Sequence, residues 1–122
     1  MTLKHFATII CFHIWFITSL AQMNVIDSLR AVIHSDIAPK QKLQTYVLLT
    51  GRLSNVSFNE TIKLAEEGLQ IGRQLKDSVA IAGLNRNIGI ASYFKGDYEK
   101  AATLYYAALG IFERYDQKIE TA

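Results

Sequence analysis

Apolar residues recur at steps of three and four along most of the chain from Val25 onward, which is the spacing of one face of an α-helix. The clearest stripe belongs to residues 101–112 and consists of Ala101, Leu104, Tyr105, Ala108, Leu109 and Phe112. Asp97 stands where the N-cap of this helix is expected, and Gly96 precedes it. The segment before the turn has its own apolar face, formed by Leu84, Ile88 and Ala91. Because the turn at residues 95–97 is short, the two helices are predicted to be antiparallel.

Three more helices are predicted upstream of this hairpin. The first two cover residues 25–35 and 40–53. The third is opened by the Ser-Phe-Asn-Glu sequence at residues 57–60, which is the pattern of a capping box. In such a box the Ser57 hydroxyl accepts a hydrogen bond from the Glu60 backbone N–H, and the Glu60 side chain accepts one from the Ser57 N–H.

The chain also aligns with itself when it is shifted by 40 residues. The positions brought together are Leu48 and Ile88, Phe58 and Tyr98, Thr61 and Ala101, Ala65 and Tyr105, and the pairs 68–69 and 108–109. A polar turn that leads into a new helix follows each copy. The sequence therefore predicts two copies of one helix pair, of which the earlier copy is degenerate.

The later copy resembles the tetratricopeptide repeat (TPR), whose pattern is an aliphatic–Gly pair, an aromatic residue, G-x-Y, Ala, a second aromatic residue and Ala-Leu. The matching residues are Gly89, Gly96, Tyr98, Ala101, Tyr105, Ala108 and Leu109. Two positions depart from the pattern: Asn85 replaces an early Trp, and Ser92 replaces the first aromatic residue, with Tyr93 one place later. The period of 40 indicates a longer variant of the repeat. The resemblance implies an all-α fold of antiparallel helix-turn-helix repeats, stacked as a short right-handed α-solenoid.

On this basis the chain divides into five parts. They are a signal peptide at 1–21, an N-terminal capping helix at 22–37, a degenerate TPR-like repeat at 38–77, a TPR repeat at 78–116 and the start of a further, truncated helix at 117–122. A helix of about six residues is marginal alone. The division therefore predicts that the chain is the N-terminal part of a longer array.

The first part has the pattern of a secretory signal peptide. Lys4 and His5 precede an apolar run at residues 6–20, and small residues follow at the positions that a signal peptidase inspects. Cleavage is predicted between Ala21 and Gln22. We therefore expect an exported protein, periplasmic or at the cell surface. An uncleaved membrane anchor is the alternative.

Composition and motifs give no indication of an enzyme. The net charge of +2 favours neither nucleic acid nor an anionic membrane surface as a partner. The lone Cys11 lies in the signal segment, and His34 is the one histidine of the predicted mature chain, so a metal site is not expected. No nucleotide-binding, hydrolase or metalloprotease motif is present. The sequence predicts no catalytic residue, no cofactor and no metal ligand.

The resemblance implies a concave groove that binds a protein or peptide partner, with further TPR repeats stacked beside it. The candidate groove residues on the helix before the turn are Arg86, Asn87, Ile90, Tyr93 and Phe94. The predicted function is a non-catalytic protein–protein interaction scaffold outside the cytoplasm. The first alternative is the N-terminal periplasmic sensory region of a truncated bacterial signalling protein, either a histidine kinase or a DNA-binding regulator. The second is an enzyme whose catalytic part lies elsewhere.

Overall fold

The computed structural model describes residues 2–120, apart from the side chains of residues 22 and 120. This part of the chain forms five α-helices and no strand. The helices are α1 (Leu3–Ile33), α2 (Pro39–Leu53), α3 (Phe58–Leu75), α4 (Ser78–Phe94) and α5 (Tyr98–Glu120). The all-α prediction is confirmed.

Local sequence signals set most of the helix ends. Pro39 occupies the first position of α2, where its missing N–H costs nothing. The Asp77 carboxylate accepts a hydrogen bond from the Ala80 N–H at 3.0 Å and caps α4. The turn before α5 contains Gly96 at φ 87°, a left-handed conformation that glycine adopts without strain. The Asp97 carboxylate then accepts from the Lys100 N–H at 3.2 Å, as an N-cap does.

The capping box predicted at α3 is wrong. The Ser57 side chain makes no capping bond to a backbone N–H, and its hydroxyl donates to the Glu60 carboxylate at 3.2 Å instead. That carboxylate also accepts two hydrogen bonds from the Arg30 guanidinium, each at 3.0 Å. A bidentate charged pair is stronger than a bond to a neutral N–H, so Arg30 holds the Glu60 side chain. The start of α3 is thereby bound to α1.

The helices pack mainly against their neighbours in the chain. Helix α4 packs against α2, α3 and α5, while α2 also packs against α1 and α3. The core that results contains Ile33 of α1 together with buried residues of α2, α3 and α4, among them Leu43, Leu49, Leu53, Ala65, Leu69, Leu84 and Ile88. The contact between α2 and α4, the first helices of the two copies, joins the copies into one body. The right-handed solenoid form of this stack stays a prediction.

The two copies fill their hairpin interiors differently. In the later copy, a Cβ atom at Gly89 would lie 3.2 Å from the Tyr105 ring, so the small residue on α4 faces the large one on α5. The corresponding positions of the earlier copy hold Leu49 on α2 and Ala65 on α3, both fully buried. The large and small residues have exchanged helices, which keeps the summed volume of the pair similar.

Tyr46 marks the tightest approach between α2 and α3. A Cβ atom at Gly68 would lie 2.9 Å from the Tyr46 Cβ atom and 3.1 Å from Leu84 Cδ1. The Tyr46 hydroxyl donates to the Glu67 carboxylate at 3.0 Å. Burial, followed by this hydrogen bond, raises the pKa of Tyr46 to about 12. Gly68 is therefore required for close packing of these helices.

Two predicted boundaries do not coincide with helix ends. Helix α1 runs without a break across residues 21–22 and ends at Ile33, so the segment predicted as a separate capping helix is the last part of a longer helix. Helix α5 continues to Glu120, and no turn separates residues 116 and 117. Neither junction contains Gly or Pro to stop a helix. The predicted new helix at 117–122 is therefore wrong as far as residue 120, and residues 121–122 lie outside the described part.

One described helix, α1, is long and apolar enough to cross a membrane. It lies at the N-terminus, and none of its apolar window is buried in the protein. Its exposed residues include Phe6, Phe12, Trp15 and Ile17. A signal peptide and a membrane span both have this character, so the structure is compatible with either.

Gly68→Ala is expected to lower the free energy of unfolding by about 1 to 3 kcal/mol, because the added methyl group overlaps the Tyr46 side chain close to its backbone. Gly110→Ala is the matched control, since a Cβ atom there meets nothing within 4 Å. Helix propensity alone should make the control more stable by up to about 1 kcal/mol. Urea unfolding of the full chain in a neutral detergent, followed by circular dichroism, measures both. Equal stabilisation by the two substitutions would contradict the packing described.

Candidate functional site

The five predicted groove residues all lie on α4, but they do not share one surface. Tyr93 and Phe94 are each 52% exposed, and Arg86 is also exposed. Ile90 is half-buried. Asn87 is completely buried. Four of the five residues can therefore contact a partner, and one cannot.

Asn87 points away from solvent, so its prediction as a groove residue is wrong. Its side-chain amide donates to the Val47 carbonyl at 3.1 Å and to the Thr50 hydroxyl oxygen at 2.9 Å. Thr50 in turn donates its hydroxyl proton to the Tyr46 carbonyl at 2.7 Å. One helical step from Arg86 turns the side chain by about 100°, which directs Asn87 at α2. This residue joins the two helix pairs.

An aromatic cluster stands at the end of α4. It consists of Phe58, Tyr93, Phe94 and Tyr98, one ring from α3, two from α4 and one from α5. Phe94 stacks on Phe58 with 5.7 Å between ring centroids. Tyr93 meets Phe94 edge-on at 5.6 Å and Tyr98 at 5.3 Å. These separations are within the range of favourable aromatic contacts, so the four rings form one continuous surface.

The repeat itself brings these rings together. Phe58 and Tyr98 are the first residues of α3 and α5, and they correspond under the 40-residue shift. The last two residues of α4 lie between them. Lys95 donates from Nζ to the Asn59 side-chain oxygen at 2.8 Å, which connects the turn after α4 to the start of α3. The turn and the helix starts thus hold the cluster in place.

Sequence reasoning did not assign Phe58 and Tyr98 to the candidate site. Phe58 follows the expected N-cap Ser57 of its helix, and Tyr98 belongs to the G-x-Y pattern of the repeat. Tyr98 is 64% exposed and Phe58 is half-buried. Their equivalence under the repeat, with aromatic residues at both helix starts, is the signal that could have identified them.

A cation lies beside the aromatic cluster. Arg86 forms no ion pair with an acidic side chain in residues 2–120. Burial raises the pKa of Tyr105, with a contribution from Tyr93, while the positive charge of Arg86 acts in the opposite direction. The Arg86 guanidinium is thus close enough to Tyr105 to affect the pKa of its hydroxyl group. The α4 surface therefore combines a cation with exposed aromatic rings.

This combination is suited to binding a polypeptide. Aromatic and Arg side chains dominate the binding energy of most protein interfaces, because they offer a large contact area and directed polar contacts. Within the described part of the chain, no group of three His, Cys, Asp or Glu residues is arranged to hold a metal ion.

Comparison of the chain with protein-family models, with curated proteins and with solved structures finds no match.

Proposed function

We propose that this chain is a non-catalytic protein-interaction module that acts outside the cytoplasm and contacts its partner through the aromatic cluster. The observation that carries the proposal is the exposure of Tyr93, Phe94 and Tyr98, which leaves more than half of each side chain in water. Covering apolar area contributes roughly 25 cal/mol per Å². A partner that covers these rings would therefore gain binding energy from a surface that is already assembled.

The mutual contacts of the rings support the proposal further. Phe58, Phe94 and Tyr93 restrict one another, so these side chains have less rotational freedom to lose on binding. Arg86 and Ile90 lie on α4 in the turns before Tyr93 and can extend the contact along the helix. The proposed surface is thus the predicted groove without Asn87, enlarged by Phe58 and Tyr98.

The TPR resemblance supports the same function from the sequence. Arrays of such repeats bind partners along a concave face while their helix pairs hold one another. The packing of α4 against α2, α3 and α5 is the kind of contact that such stacking requires. Membership of the TPR family and the concave shape of the stack belong to the proposal.

The character of α1 supports export. It is apolar on all sides and exposed along its N-terminal part, so a single partner helix could not cover it, whereas lipid or a translocation channel could. Lys4 precedes the apolar run, and positive residues favour the cytoplasmic side. This orientation leaves α2–α5 outside the cytoplasm, with residues 1–21 as a cleaved signal peptide or, alternatively, as a membrane anchor.

The continuity of α1 favours a second candidate, the periplasmic sensory region of a signalling protein. The same helix carries the exposed apolar segment, the Arg30 side chain bound to Glu60 and the buried Ile33. An uncleaved α1 would therefore connect a membrane rigidly to the helix pairs. Such a connection could transmit a movement caused by ligand binding.

Photo-crosslinking in cells that export the chain tests the interaction surface. With p-benzoylphenylalanine in place of Tyr93, we expect a discrete crosslinked product containing one other protein, which mass spectrometry identifies. The same residue in place of Tyr106 is the matched control, because Tyr106 is 75% exposed but lies outside the cluster. Phe94→Ala is then expected to weaken binding of the identified protein by about 2 kcal/mol. Identical products from both positions, or none from position 93, would contradict the proposal.

The single thiol of the chain, Cys11, tests whether residues 1–21 are retained. Cleavage after Ala21 removes Cys11, so the exported protein, once unfolded, should not react with a polyethylene-glycol maleimide and should begin at Gln22. A Gln70→Cys variant is the control, because its thiol lies in α3 and reacts in either case. A wild-type protein that gains the mass of one reagent retains residues 1–21, which contradicts cleavage and favours the membrane-connected sensory region.

A further inference from the structure

A second surface lies at the opposite end of α3, α4 and α5 from the aromatic cluster. It is a cleft of about 660 Å³ between the start of α2, the turn joining α3 to α4, and the second half of α5. Helix α5 forms one wall through residues of its second half, since it is longer than α3. The volume is within the range of sites that bind small ligands or short peptide segments.

The cleft is strongly basic in a chain of net charge only +2. Four cationic residues line it: Lys40, Lys76, Arg114 and Lys118. The one acidic residue of the lining is Asp77, whose carboxylate already accepts the Ala80 N–H. Lys40, Lys76 and Arg114 form no ion pair with any acidic side chain in the described range. Three of the four lining cations are therefore without an acidic partner in the described part of the chain.

The arrangement of these cations has a conformational and electrostatic cost. Arg114 and Lys118 are four residues apart on α5, where like charges repel. Lys76 ends α3 in the left-handed conformation, at φ 54°, a position that glycine usually occupies. An anionic ligand would interact favourably with Lys40, Lys76 and Arg114 at once.

The rest of the lining is apolar. Leu75 and Tyr115 expose much of their surface, and Val79 and Ile111 are half-buried beside them. A free phosphate ion has no apolar group that could pack against these side chains. A ligand that fits the whole cleft carries carboxylates next to apolar side chains, as an acidic peptide segment does.

We propose that this cleft binds a segment of a partner protein that is rich in Asp or Glu and also contains apolar residues. The carboxylates would pair with Lys40, Lys76 and Arg114, and the apolar side chains would cover Leu75 and Tyr115. The inference does not rest on the aromatic cluster, which lies at the other end of the helices. Either surface can be disproved without affecting the other.

Fluorescence anisotropy tests the proposal with the full chain in neutral detergent micelles and with empty micelles as the blank. The probe is a labelled short peptide that alternates Glu and Leu, and the comparison peptide has Gln at every Glu position. Binding of the Glu peptide should be at least about tenfold tighter than binding of the Gln peptide and should weaken as salt is raised. Equal affinities would overturn the proposal.

Matched charge reversals locate the binding. Arg114→Glu is expected to weaken binding of the Glu peptide by about tenfold or more. Lys63→Glu makes the same change in net charge at an exposed position of α3 outside the cleft, and it should change the affinity by less than about twofold. Leu75→Ser should also weaken binding, by about threefold, because it removes an apolar contact. Circular dichroism shows whether each variant keeps its helices.

Other outcomes would overturn the assignment. An equal loss of affinity in Lys63→Glu would mean that the peptide responds to overall charge and not to this cleft. If Leu75→Ser binds the Glu peptide as tightly as the wild type does, the apolar residues do not contribute to the site. Binding of inorganic phosphate or a single-stranded oligonucleotide in competition with the Glu peptide, at equal or lower concentration, would show that the cleft takes phosphates and not acidic peptides.

Discussion

The contact between α2 and α4 is the constraint on which the rest of the structure depends. The buried Asn87 amide donates to Val47 and Thr50 of α2, and so joins the first helices of the two copies. A buried N–H donor is costly unless it is hydrogen-bonded, and both bonds of the Asn87 Nδ2 atom lead to α2, which makes this contact specific as well as close. The Asn87 Oδ1 atom, in contrast, is buried without a hydrogen-bond partner in the described part of the chain. Without the contact between α2 and α4, the two hairpins would be joined only by the packing of α3 against α4, by the Phe58–Phe94 ring contact and by the Lys95–Asn59 hydrogen bond. Asn87 therefore fixes how one hairpin lies on the other.

The two proposed binding surfaces follow from that arrangement. Because α4 lies between α2, α3 and α5, its two ends meet different neighbours. Its C-terminal end meets the starts of α3 and α5, and their aromatic residues form the exposed cluster with Tyr93 and Phe94. Its N-terminal end meets the start of α2 and the extension of α5, which form the basic cleft. The aromatic cluster thus lies at one end of α4, and the basic cleft, whose cations belong to its neighbours, lies at the other end.

Local sequence patterns predicted much of the fold. The predictions that were wrong depended on contacts between distant residues or on the repeat alignment. The spacing of apolar residues and the expected N-cap at Asp97 predicted helices that are observed. The capping box failed because Arg30, distant in sequence, holds the Glu60 side chain. The boundary at 116–117 failed because the repeat alignment implied a turn where no residue breaks the helix. The candidate binding surface was predicted only in part, because the place of Asn87 in the repeat pattern does not show that its side chain points toward α2.

The central claim, that the two helix pairs form one body joined through Asn87, is tested most directly by the near-isosteric Asn87→Asp substitution. Burial should raise the pKa of the introduced carboxyl above its unfolded value of about 3.9. Its penalty is then small below that pH and grows as the pH rises, to about 3 kcal/mol relative to wild type at neutral pH. Urea unfolding at several pH values, with an Asn55→Asp variant at an exposed loop position as control, measures this difference. A variant as stable as wild type throughout would contradict the account, because the carboxylate would then be in water.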